Sequence, residues 1–227
     1  MFARIPARRL RSFLLVLAVA LIYPYLSSFA IWSGFRQPNG SLLNIRIMVN
    51  VIFELLVLFL LAKVLSRQDR SWQSIGLRFS WEELLHGLGL FIGAYLASYV
   101  VYVIAWYLSA AITGRPVAVQ ANNVSFLREG NFLILQIYVL INPWFEELIV
   151  RAYTMTELAA FKLPEGGIIF LSLLLQTGYH LYQGAATALL ASSTFFIFAL
   201  YYAYTRRAFP IILAHLCFDL FALLAAR

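Results

Sequence analysis

Apolar residues fall into seven runs, roughly Ser12 to Trp32, Leu42 to Leu65, Leu84 to Ala110, Asn131 to Phe161, Gly166 to Gln183, Ala185 to Thr205 and Ala208 to Ala226. A helix of about 18 or more apolar residues, rising about 1.5 Å per residue, covers most or all of a hydrocarbon core of about 30 Å. Every run reaches that length, so the pattern predicts an all-α fold, a polytopic transmembrane bundle of about seven to eight helices. Turn formers separate the runs, in Arg36-Gln-Pro-Asn-Gly40, Thr113-Gly-Arg-Pro116 and Leu163-Pro-Glu-Gly-Gly167. Pro143 lies inside the fourth run and should kink or split it, which is where an eighth, short segment would come from. Ser80 reads as the cap of the third helix, with Glu82 and Glu83 in its first turn. Glu82 and His86 are four apart, and their expected setting is a wet juxtamembrane turn rather than a metal pair.

Composition agrees with the pattern. The 227 residues are 63% hydrophobic and 12% charged, which leaves little chain for a soluble domain, so one membrane domain over 1–227 is expected. The single cysteine, Cys217, allows no intrachain disulfide. Arg4, Arg8, Arg9 and Arg11 ahead of an apolar run have the form of a signal peptide, yet the run continues past Pro24 to Trp32. An uncleaved first helix is the expectation.

The net charge of +7 is distributed at the borders of the runs, which speaks for membrane orientation and against nucleic acid. With the N-terminus inside, the inner side holds Arg4, Arg8, Arg9, Arg11, Lys63, Arg67, Arg70, Arg78, Arg151, Lys162, Arg206 and Arg207. The outer side holds only Arg36, Arg115, Arg128 and Arg227. Basic connections resist translocation, so a cytoplasmic N-terminus is expected.

Ionisable groups inside a span cost roughly 2.5 to 3.5 kcal/mol each on insertion scales, and those that persist face a partner or a cavity. Arg46, Asn50 and Glu54 are four apart and share one face of the second helix, where a network locking helices together is preferred over substrate binding. In Asn142-Pro-Trp-Phe-Glu-Glu-Leu-Ile-Val-Arg151, successive residues turn by about 100°. Arg151 therefore meets Glu147 and points away from Glu146. That leaves Glu147 with Arg151 as an ion pair and Glu146 in need of another partner, the position of a general base. A buried pair that only fixes helices remains open on this stretch alone. The fourth and fifth runs turn near Leu163 and Pro164, which puts Glu146 and His180 at similar depth. His215 and Asp219, at i and i+4, share a face of the last helix. These four residues can meet around one small polar cavity.

Glu146-Glu147-x-x-x-Arg151, then His180 closing the next helix, then His215-x-x-x-Asp219, resemble in that order the motifs of the CPBP family of CaaX proteases and bacteriocin-processing enzymes, also called Abi. Ile75-Gly-Leu-Arg78 and the tryptophan-containing stretch from Ser80 to Gly87 extend the resemblance over about 71–224. It implies an intramembrane endopeptidase in which Glu146 and His180 activate a water, while His215 and Asp219 stabilise the oxyanion. It places Glu147, Arg151 and Gln176 in supporting roles. Two departures stand out. Gln176 occupies the position where the family usually has phenylalanine, and would hold the imidazole tautomer or contact substrate. Asp219 stands where better-described CaaX proteases carry asparagine, and would have to be protonated, orient His215 or bind a metal.

No His-Glu-x-x-His is present, and the resemblance implies a metal-independent glutamate mechanism, so no cofactor is the favoured expectation. Zinc on Glu146, His180, His215 and Asp219 is the alternative. The expected partners are a peptide or protein substrate, lipidated in some of the family, and membrane lipids. A bacterial inner membrane is the compartment the resemblance implies. Two competing readings remain: a non-catalytic scaffold binding a peptide or lipid in the same fold, and a proton-coupled transporter, disfavoured by the lack of an inverted repeat.

Overall fold

The computed structural model describes residues 7–35, 42–117 and 126–226. Arg4, the turn at 36–40 and Arg227 lie outside the described residues. Within them the chain is all-helical, with the elements α1 (Ala7–Trp32), α2 (Leu43–Ser66), α3 (Trp81–Thr113), α4 (Phe126–Glu129), α5 (Phe132–Glu146), α6 (Thr154–Ala160), α7 (Glu165–Tyr179), α8 (Ala185–Thr205) and α9 (Phe209–Ala225). The seven apolar runs each correspond to helix, the fourth being α5 and α6 joined by a wider turn. Among the described residues five segments are long and apolar enough to cross a membrane: α1, α2, α3, α8 and the stretch Phe132–Ala160. At 15 and 17 residues, α7 and α9 are shorter.

Local chemistry sets the boundaries. The Ser80 hydroxyl accepts from the Glu83 N–H at 3.3 Å, capping α3 as its sequence predicts, and Gly114 closes that helix at φ +72°. Asn131 caps α5 by accepting from the Leu133 and Ile134 N–H groups. Pro164 precedes the first turn of α7, and the hairpin turns between residues 160 and 165 as expected. His86 is exposed beside Tyr201, consistent with a wet juxtamembrane turn.

The fourth run differs from expectation in where its irregularity falls. Helix α5 continues through Pro143, and the backbone instead widens to π geometry over Glu147–Tyr153 before α6 resumes. Such a wide turn frees carbonyls from the α pattern, and all seven residues of it are buried. Hydroxyls take them up. Thr154 donates to Ile149 O at 2.7 Å and Ser172 of α7 donates to Val150 O at 3.1 Å. The Tyr202 hydroxyl of α8 lies 2.9 Å from Ala152 O and 3.0 Å from Ile75 O.

Packing follows the polar tethers. Helix α2 lies against α5, α3 against α8 and α9, α7 against α8, and α1 against α2 and α7. Glu157, fully buried on α6, accepts from Arg9 of α1 at 2.6 and 3.1 Å and from Arg70, beyond the end of α2. Gly76, at φ +84°, sits so close to the α8–α9 turn that a Cβ there would come 2.1 Å from the Arg206 carbonyl oxygen, and its own carbonyl accepts from the Ala208 N–H. That contact explains the glycine of Ile75-Gly-Leu-Arg78.

Candidate active site

Glu146, 5% exposed, ends α5 where the backbone begins to widen. Its carboxylate is held by two amides: Asn142 Nδ2 donates to Oε1 at 3.2 Å and Gln176 Nε2 of α7 donates to Oε2 at 2.8 Å. Asn142 was not among the candidate residues, although its spacing of one turn from Glu146 was visible. Gln176 acts differently from either role expected of it, since its side chain grips Glu146. Its backbone carbonyl, not its amide, meets the imidazole of His180, at 2.9 Å from Nδ1.

That last contact fixes the tautomer. A carbonyl only accepts, so His180 Nδ1 carries the proton, and a neutral ring then leaves Nε2 as an acceptor. The ring lies among Tyr179, Tyr182 and Phe195, with centroids at 4.8, 6.1 and 4.7 Å. Helix α1 backs this turn, where the Tyr182 N–H donates to Ser28 Oγ at 2.9 Å and the Tyr25 hydroxyl donates to Leu175 O at 2.8 Å.

The two acids are inequivalent, as the helical wheel predicts. Glu147 and Arg151 are both fully buried and pair at 2.8 Å, with the guanidinium over the Phe195 and Phe198 rings at 5.4 and 5.7 Å. Glu147 does more than pair, because its Oε1 also accepts from His215 Nδ1 at 2.7 Å. His215 Nε2 then faces Asp219 Oδ1 at 3.6 Å and Glu146 Oε2 at 4.0 Å. Arg151 thus reaches the centre of the site through Glu147 and His215.

Glu146 and His180 line a common cavity of about 160 Å³, room for several waters. Asn142, Tyr138 and Tyr182 line it too, with Tyr23, Pro24, Ser27 and Ser28 from α1. His215 and Asp219 are not among its lining residues, and His215 Nε2 approaches the site at Glu146, 4.0 Å from Oε2. Arg46, Asn50 and Glu54 also line it, so this face of α2 looks into the cavity. For zinc the ligands would have to converge within about 2.0 to 2.3 Å of one point. Among the described residues no group of three or more His, Cys, Asp or Glu side chains is placed to hold a metal ion.

Fold and site together define a multi-pass helical membrane protein with an acid and a histidine on one internal cavity. Residues 128–221 match the sequence model of a family described as type II CAAX prenyl endopeptidase Rce1-like, the same family that the motifs resemble. The match holds Asn142, Glu146, Glu147, Arg151, Gln176, His180, His215 and Asp219, and begins beyond the Ile75–Gly87 stretch. No curated protein and no solved structure matches the chain significantly.

Proposed function

We propose that this protein is an intramembrane endopeptidase hydrolysing a peptide bond in a membrane-associated, lipidated peptide or protein. The observation that carries this reading is the shared cavity of Glu146 and His180, with the acid fixed by two amides and the imidazole presenting Nε2. A water between them loses a proton to Glu146 while its oxygen attacks the scissile carbonyl carbon. The proton held by Glu146 then passes to the departing amine nitrogen. Each carboxylate oxygen has two lone pairs, so the amides still leave Glu146 sites for that water.

His215 is the oxyanion donor in this scheme, through an Nε2–H, with Glu147 fixing its other nitrogen and Asp219 orienting it. The distance of 3.6 Å between Nε2 and Asp219 supports the orienting role for the aspartate. Such donors are worth about 10²–10³-fold in rate. In this scheme Glu146 activates the water directly, without a metal. A cell membrane of bacterial type, taken from the family resemblance, is the setting, with a cytoplasmic N-terminus supported by the bias of basic residues.

The test is cleavage of a prenylated peptide by purified protein. Glu146→Ala, His180→Ala and His215→Ala should each abolish cleavage while the protein still purifies folded. Full activity in His180→Ala would overturn the assigned pair, and cleavage by none of the proteins, wild type included, would favour a binding scaffold.

A further inference from the structure

Glu54 has no role in the chemistry above, yet it is 2% exposed, lines the cavity, and its Oε2 has no hydrogen-bond partner among the described residues. A buried carboxylate oxygen left unmet costs about 1–3 kcal/mol or more, so a donor is missing from this site. Asn50 and Arg46 follow on the same face at one-turn intervals, and Arg46 is the one lysine or arginine lining the cavity among the described residues. Helix positions four apart rise by about 6 Å, while alternate residues of an extended peptide repeat every 6.6 Å or so. The two periods nearly coincide. An extended strand laid along α2 would therefore present like backbone groups to Glu54, Asn50 and Arg46 in turn.

We infer that this face of α2 is the substrate-binding rail, with Glu54 accepting a backbone N–H beside the scissile bond and Arg46 taking the substrate's free C-terminal carboxylate. The inference rests on the peptidase reading and adds to it residues that lie outside the family match. From Arg46 to Glu54 is about 12 Å along the axis, the reach of three to four extended residues. Charge runs the right way for a chain end, with the cation at the far end of the rail and the carboxylates at the reacting end.

The test is binding, measured with full-length Glu146→Gln protein in lipid nanodiscs by anisotropy of a fluorescein-labelled, S-farnesylated peptide ending three residues after its cysteine. The free acid should bind tighter than the C-terminal amide by about tenfold or more. Adding Arg46→Gln should bring the acid down to the amide while leaving the amide unchanged. Peptides N-methylated at one amide at a time should lose affinity at one position, and Glu54→Leu should erase that positional loss. Equal binding of acid and amide, or unchanged profiles in both variants, overturns the rail. Selective binding without cleavage by the Glu146-intact protein counts against the peptidase reading alone.

Discussion

At the residue scale the site is organised around one carboxylate and the groups that hold it. Gln176→Leu would strip Glu146 Oε2 of its donor, and kcat should fall about 10- to 100-fold with little change in KM, the equivalent of the roughly 1.5–3 kcal/mol that a hydrogen bond to a charged group is worth. Equal kcat in the variant would remove Gln176 from the site. Arg151→Ala would leave Glu147 buried without its cation, costing about 3–5 kcal/mol, read as a lower unfolding temperature in detergent. The division of labour between Glu146 and Glu147 was legible in the sequence, because a spacing of four residues decides which acid meets Arg151. The grip of Gln176 on Glu146 was not, although the one-turn spacing of Asn142 was. An amide in an apolar run shows that it needs a partner, and only the tertiary approach of Gln176 to the end of α5 says which.

At the element scale the wide turn at Glu147–Tyr153 replaces the break that Pro143 suggested. Its carbonyls are met by Thr154, Ser172 and Tyr202, contributed by three different helices, and no local pattern marks such a turn in advance. The His180 turn depends likewise on a neighbour. A Cβ on Gly178 would lie 2.6 Å from the Tyr25 ring, so Gly178→Ala should push α1 from α7, destabilise the protein by about 1–3 kcal/mol and lower turnover. The pair Gly178→Ala with Tyr25→Ala should recover turnover, as the clash is then relieved; failure of the second change to rescue would place the fault elsewhere. Helix existence was readable from run length throughout, since burial in lipid demands it. The faces of α1 and α2 that line the cavity were not, and the polar face of α2 was expected to lock helices rather than to look into the site.

At the scale of the whole molecule, two of the basic residues that the charge count assigns to the inner side also do structural work: Arg9 and Arg70 converge on buried Glu157, tying α1 and the end of α2 to α6. A cytoplasmic N-terminus predicts that, in a Cys217→Ser background, Arg67→Cys labels from the cytoplasmic side and Arg115→Cys from the opposite side with a membrane-impermeant maleimide. Labelling of both from one side would reject the orientation. The charge count made this expectation available from sequence, and motif spacing did the same for the approach of His180, Glu146 and His215, whereas the absence of His215 and Asp219 from the cavity lining became visible only as geometry. The central claim is that Glu146 activates a water without a metal. Its most direct test is the turnover of a prenylated peptide by purified protein stripped with a strong chelator, comparing the wild type with Glu146→Gln. The account predicts full turnover by the stripped wild type and none by Glu146→Gln. Turnover lost on stripping and restored by stoichiometric zinc, or retained by Glu146→Gln, would contradict it.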